Sequence, residues 1–210
     1  MKGLFITFEG PDGAGKTTQV YLVDRYLKEK GYSTLITREP GGTKIGEEIR
    51  NLLLSCAHSE MDALTEMYLY AAARAQHVKQ LIKPALREGK IVLCDRFVDS
   101  SIAYQGFGRG LGMDVVESVN RYALQEVEPD LTLFFNIDIE EALNRGRARN
   151  GSLDRLEREK LEFHRRVYQG FCLLRDKYPC RIKEIDASKD IDDVFKQIME
   201  LIEYLLCCKK

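Results

Sequence analysis

Gly10-Pro11-Asp12-Gly13-Ala14-Gly15-Lys16-Thr17 stands directly behind the apolar run Leu4-Phe5-Ile6-Thr7-Phe8 and Glu9, and directly ahead of a long periodic segment. The octet matches Gly-x4-Gly-Lys-Ser/Thr in the setting that gives the pattern physical meaning, a buried strand feeding a glycine-rich turn that opens a helix. Glycines let successive backbone N–H groups turn inward, and the helix N-terminus adds partial positive charge. The loop is therefore a cradle for phosphate. Gly10, Pro11, Asp12, Gly13, Ala14, Gly15, Lys16, Thr17 and Thr18 are the expected nucleotide-binding residues, with ATP the expected ligand. Lys16 is expected to reach the β- and γ-phosphates, and the Thr17 hydroxyl to ligate Mg2+. The pattern alone serves kinases, GTPases, motors and transport ATPases alike.

Outward from this loop, short apolar strands alternate with longer helical patterns. Leu4 to Phe8 reads as a buried strand. Thr17 to Lys30 reads as a helix with Val20, Leu22, Val23, Tyr26 and Leu27 on its apolar side and Gly31 placed to stop it. Strands are expected at Tyr32 to Thr37, Ile91 to Cys94, Leu131 to Ile137 and Arg181 to Ile185. Arg38 to Thr43 is a Pro-Gly-Gly loop, and two or three helices fill the stretch from about 45 to 87. Asp138 is expected to cap a helix, with Glu141 closing a capping box. Leu156 to Tyr178 and Ile191 to Leu206 read as further helices. Strands alternating with helices imply an α/β three-layer sandwich around a five-stranded parallel sheet of the P-loop type. No repeat, linker or composition shift divides residues 1–210, so one domain is expected. The basic stretch of about 145–156 reads as a short lid within it.

The chain has 210 residues, 32 basic and 33 acidic, for a formal net charge of −1. It has no overall basic field to gather nucleic acid. The six cysteines form no Cys-x-x-Cys pair, and a chain this long can bury a core without disulfides. They read as reduced cytosolic thiols. The Cys207-Cys208-Lys209-Lys210 ending lacks the aliphatic residues that prenylation needs. The N-terminal apolar run has no cleavage site, and no stretch approaches ~18 continuous apolar residues. A cytoplasmic protein that does not span a membrane is expected.

The strand Ile91 to Cys94 runs into Asp95, a carboxylate at the edge where ligands sit in such sheets. Arg96 follows, a planar fork suited to phosphate oxygens. The plain alternative is a simple ion pair at a strand end. The guanine-reading Asn-Lys-x-Asp motif of GTPase switches is missing.

Three groups of residues together resemble one family. They are Phe8 to Gln19 around the loop, Arg38-Glu39-Pro40-Gly41-Gly42-Thr43, and Asp95-Arg96-Phe97 with Ser100-Ser101-Ile102-Ala103-Tyr104-Gln105-Gly106. In content and order they are similar to the bacterial thymidylate kinases, over nearly the whole chain. The resemblance implies phosphoryl transfer from ATP, with Mg2+, to dTMP, by a homodimer. It implies that Asp12 contacts the deoxyribose 3′-hydroxyl and that Tyr70 stacks on thymine. It has Arg74 bonding a ring carbonyl, Ser101 and Gln105 completing the base contacts, and Tyr104 sitting where a ribose 2′-hydroxyl would fall. Arg96 is expected on the acceptor phosphate, with Arg38, Glu39 and Arg50 around it and the metal. On helix periodicity alone, Tyr70 reads as core.

The family carries a mobile arginine in the P-loop or in the lid. Gly13 fills the P-loop position, while Arg145, Arg147, Arg149 and Arg155 crowd the lid. The expected catalytic set is therefore Lys16, Asp95, Arg96, Arg149 and Arg155. A solvated, charged helix end is the bland reading of the same lid. A monophosphate, with a second pKa of about 6, is largely dianionic at neutral pH and needs no strong general base. That agrees with His58, His77 and His164 falling in no motif. The rivals are a kinase of another nucleoside monophosphate and a nucleotide-binding switch acting through a partner.

Overall fold

The computed structural model describes residues 3–149 and 153–208. Five parallel strands form one sheet in the order β2-β3-β1-β4-β5: β1 Leu4–Glu9, β2 Thr34–Arg38, β3 Ile91–Asp95, β4 Leu131–Asn136 and β5 Ile182–Asp186. Side chains alternate across a strand, and β1 divides its residues between two cores accordingly. Leu4, Ile6 and Phe8 pack against α1 (Lys16–Glu29) and α9 (Ile191–Cys208). Phe5 faces the other side. There α3 (Ala63–His77), α6 (Met113–Leu124) and α8 (Leu161–Lys177) cover the sheet. Burial on both faces is why β1, β3 and β4 are almost continuously apolar.

All five expected strands are present, with ends moved by one or two residues. Two readings need correction. The helix expected from Leu156 begins only at α8. Asp154 holds the preceding segment in a turn, its Oδ1 accepting from the N–H groups of Leu156 (2.8 Å) and Glu157 (2.9 Å). Asp138 does cap α7 (Ile139–Arg149), accepting from the Glu140 and Glu141 N–H groups at 2.9 and 3.0 Å. Glu141, however, does not close a box. Its carboxylate pairs with Arg145 one turn on, at 2.5 Å. The stretch after β3, left unassigned from sequence, is helical: α5 (Val98–Ser101) runs into a π-helical turn at Ile102–Gly108. Of the remaining helices, α2 (Lys44–Leu54) packs beside α3, and α4 (Lys83–Arg87) follows α3 through a π-helical turn at Val78–Ile82.

Candidate active site

The three central strands end together. Phe8 of β1 and Arg38 of β2 both stand opposite Asp95 of β3. The loops leaving them open onto one cleft of about 650 Å³, in which Lys16, Thr17, Asp95 and Arg96 meet Tyr70, Arg74 and Gln105. Helix α1 starts at its floor with no side-chain cap, leaving its first N–H groups for a ligand.

Lys16 is buried, and its Nζ donates to the carbonyls of Gly10 (3.1 Å) and Pro11 (2.6 Å). Burial, then the charge of Arg96, brings its pKa down to about 8. Two cations sharing a loop of inward amides favour an anion between them. The Thr17 hydroxyl donates to Asp95 Oδ2 at 2.5 Å. These are adjacent hard oxygen ligands of the kind Mg2+ takes when phosphates complete its shell. Among the described residues no cluster of three or more His, Cys, Asp or Glu side chains offers a separate metal cage.

Asp12, Arg96 and Tyr104 form one unit. Arg96 Nη2 donates to Asp12 Oδ1 at 2.6 Å, and the Tyr104 hydroxyl donates to Asp12 Oδ2 at 2.9 Å. The guanidinium lies 5.1 Å from the centre of the Tyr104 ring, and its Nη1 donates to Ser100 Oγ at 2.9 Å. Burial pushes the Asp12 carboxyl up, but Arg96 and then Lys16 outweigh it and hold it well below the usual carboxylate range. Arg96 has φ +68°, a left-handed conformation that costs a non-glycine residue about 1 kcal/mol or more. Its N–H is tied to the Phe8 carbonyl at 3.0 Å. The next residue is gripped by Glu9, which accepts from the Phe97 N–H at 2.7 Å and the Ser100 hydroxyl at 2.5 Å. Burial and then the nearby Asp99 raise the Glu9 carboxyl to about 7. Sequence reasoning passed over Glu9. Its signal was a lone carboxylate closing an otherwise apolar buried strand.

Two faces spaced by four residues form the far wall and what stands behind it, with Tyr70, Arg74, Ser101 and Gln105 on the cleft. Glu66, Tyr70 and Arg74 follow one another along α3, and Ser101, Gln105 and Arg109 along α5 and the π-helical turn. Arg74 is fully buried. It donates to Ser101 Oγ (2.9 Å), the Phe97 carbonyl (3.1 Å), Glu39 Oε2 (2.8 Å) and Asn120 Oδ1. Gln105 Nε2 donates to Glu66 Oε1 at 2.9 Å. Tyr70 is half-buried on the cleft, its hydroxyl pushed well up by burial.

Other expected residues are employed differently. Glu39 is buried between Arg74 and His77 Nδ1 (2.9 Å), because a carboxylate at 5% exposure needs a counter-charge. It grips Arg74 and His77. Arg38 pairs with Glu47 at 2.8 Å, and Arg50 donates to the Pro40 carbonyl at 2.9 Å, both at the cleft rim. Arg155 is turned into the protein: its Nε donates to the Leu53 carbonyl (2.9 Å) and its Nη2 lies 2.6 Å from Glu66 Oε2. The Arg149 side chain, with residues 150–152, lies outside the described residues.

Helix α7 passes directly over the loop. A Cβ on Gly13 would meet the Ala142 carbonyl oxygen at 2.0 Å, so a P-loop arginine has no room there. Behind this contact a second cleft of about 230 Å³ runs between Thr18 and Gln19 of α1, Arg145 of α7 and the segment Ala187 to Ile191. Arg145 Nη1 donates to the Ala187 carbonyl at 3.0 Å.

A phosphate cradle with a separate cleft on each side, each large enough to hold part of a nucleotide, defines a P-loop phosphotransferase acting between two ligands. The family model of thymidylate kinase matches residues 8–198. Thymidylate kinases of Geobacillus sp. (strain WCH70) and Lactobacillus delbrueckii subsp. bulgaricus are each 50% identical to the chain. They cover 97% of it and 99% and 97% of their own lengths, respectively. The crystal structure of thymidylate kinase from Ehrlichia chaffeensis superposes with TM-score 0.79 at 36% identity, over 97% of this chain and 99% of that one. The chain belongs to the thymidylate kinase family.

Proposed function

We propose that the chain runs its family's reaction, ATP-dependent phosphorylation of dTMP to dTDP, with dTMP in the larger cleft and ATP reaching the cradle from the smaller one. The observation that carries this is the Asp12–Arg96–Tyr104 unit, which ties the phosphate loop to the acceptor cleft. Arg96 leaves Asp12 to take the acceptor phosphate, which frees the Asp12 carboxylate for the sugar 3′-hydroxyl. Tyr104 stays against the deoxyribose. Arg38 and Arg50 at the rim add positive charge, while Glu39 acts one step back by holding Arg74. Tyr70 stacks on thymine, and Arg74, Ser101 and Gln105 read its edge.

Lys16 and the α1 amides neutralise the transferring phosphoryl. Thr17 and Asp95 would hold Mg2+, which would offset the charge of the phosphates. Arg145 lies along the donor base. Arg149 supplies lid charge over the leaving group, whereas Arg155 anchors the lid base to Glu66 and α2. Lid closure keeps water from the phosphoryl group.

The chain works as one domain and as a homodimer. Leu52 of α2, Leu64 and Tyr68 of α3, and Val115 and Tyr122 of α6 are exposed apolar side chains on neighbouring helices, a surface suited to a second copy. Tyr122→Glu then yields a monomer in analytical ultracentrifugation. A cytoplasmic setting suits six free thiols, and among the described residues no helix is long and apolar enough to cross a membrane. ADP release from ATP, measured across a panel of monophosphates with an acceptor-free control, tests the whole reading. A response confined to dTMP is expected. Equal response to several acceptors, or turnover without any, overturns the acceptor assignment.

A further inference from the structure

Behind the far wall lies a buried ionic cluster, of which the roles above use only the Arg155 contact to Glu66. Glu66 is fully buried at its centre. Arg109 donates to both of its oxygens, from Nε to Oε1 at 3.2 Å and from Nη2 to Oε2 at 3.0 Å, and Arg155 Nη2 stands 2.6 Å from Oε2. Glu159 balances Arg109 from outside at 2.5 Å. Burial pushes the Glu66 carboxyl up, but donation from Arg109 and Gln105 and the charge of Arg109 prevail and leave it below its ordinary value, so it is a carboxylate at neutral pH.

An ionised carboxylate can only accept. The Gln105 amide beside it is therefore fixed in one of its two orientations, with Nε2 on Glu66 Oε1 at 2.9 Å. Its Oε1 is equally buried, has no hydrogen-bond partner among the described residues, and belongs to a side chain on the cleft wall. A buried amide oxygen left without a donor is costly, and a ligand N–H relieves the cost.

We infer that Glu66 is a positioning residue for base selection: it locks the Gln105 amide with its oxygen presented to the acceptor base, so that the wall accepts from a ring N–H. This rests on the reading that Gln105 meets the base. Thymine presents a carbonyl acceptor and, beside it on the ring, an N–H donor, which match the Arg74 donor and the Gln105 acceptor. Cytosine reverses both, with an amino donor and a bare ring nitrogen. With the amide free to turn over, Nε2 can donate to that nitrogen, and the wall loses half of its discrimination.

The test compares kcat and KM for dTMP and dCMP in four proteins: wild type, Glu66→Gln, Gln105→Ala and Arg109→Gln. In Glu66→Gln, KM for dTMP rises about tenfold with kcat nearly kept, and the ratio of kcat/KM for dTMP over dCMP narrows about tenfold. Arg109→Gln disturbs the same cluster but leaves Glu66 on Gln105, and keeps the ratio. An unchanged ratio in Glu66→Gln, or an equal narrowing in Arg109→Gln, overturns the inference and leaves Glu66 a structural ion. If Gln105→Ala leaves KM for dTMP unchanged, the reading that Gln105 meets the base fails instead. Should Glu66→Gln not fold, the ratio is read in Glu66→Asp, whose shorter arm withdraws the carboxylate from Gln105. A narrowed ratio there supports the inference, and an unchanged one overturns it.

Discussion

Substituting alanine at Gly13 adds one methyl where the phosphate loop touches α7. The new Cβ falls 2.0 Å from the Ala142 carbonyl oxygen and 2.8 Å from the Gly146 nitrogen. Real Cβ contacts stay beyond 3.0 Å, so the helix or the loop must give way by about 1 Å. Both obstacles are backbone, and no rotamer relieves them. Gly13 also has φ +84°, which costs an alanine about 1–2 kcal/mol, partly offset by about 0.4–1 kcal/mol from a stiffer unfolded chain. A displacement of 1 Å between reacting groups is worth up to about 10²-fold in rate. Gly13→Ala is therefore expected to lower kcat by about 10²-fold and stability by about 1–3 kcal/mol. Affinity for dTMP should stay within about twofold, because the acceptor wall on α3 and α5 is untouched. Coupled-enzyme kinetics, dTMP calorimetry and urea unfolding read the three quantities. Wild-type turnover together with wild-type stability would refute the contact. A collapse of dTMP binding with turnover retained would refute the division of labour between α7 and the acceptor wall.

Lys16 titrates near pH 8 in the free protein, and phosphate binding favours its charged form. The affinity for a triphosphate is thus full below about pH 8 and falls as pH rises through it, which pyrophosphate or ATP binding between pH 6.5 and 9.5 will register. A flat profile would mean that Lys16 stays charged throughout. Asp95→Asn removes the carboxylate that holds Thr17, and the Mg2+ concentration for half-maximal rate should rise by an order of magnitude or so, with the dTMP KM little changed. Arg155→Gln strips the buried Glu66 of one cation, and breaking a buried pair costs about 3–5 kcal/mol. Thermal unfolding should show that loss. Arg149→Gln should instead slow turnover with stability intact, and the reverse pattern would return Arg155 to the phosphate.

How much of this was legible in the sequence depended on whether the information was local. The strands around the loop were readable because burial on both faces forces continuous apolar runs. The octet at Gly10 to Thr17 was readable because only glycine and lysine at that spacing make a phosphate cradle. Arg74, Ser101, Tyr104 and Gln105 could be singled out by resemblance. What they do for one another could not, since Arg74 meets Glu39 across 35 positions and Gln105 meets Glu66 across 39. The helical stretch directly after β3 is hard to read from sequence for a related reason. The π-helical turn at Ile102–Gly108 breaks the 3.6-residue period on which a pattern reading relies.

Arg155 shows the same limit at the level of function. Within the lid segment it looked equivalent to Arg149, since charge and spacing are all that sequence offers there. The structure gives Arg155 partners far away in the chain: Leu53 at the end of α2 and Glu66 on α3. A guanidinium committed to a buried carboxylate and a backbone carbonyl cannot swing to a phosphate without leaving Glu66 short of a counter-charge. The cluster that holds Arg155 also holds Gln105. The segment after α7 and the cleft wall at Gln105 therefore share one buried carboxylate, so a change at Glu66 should be felt at both.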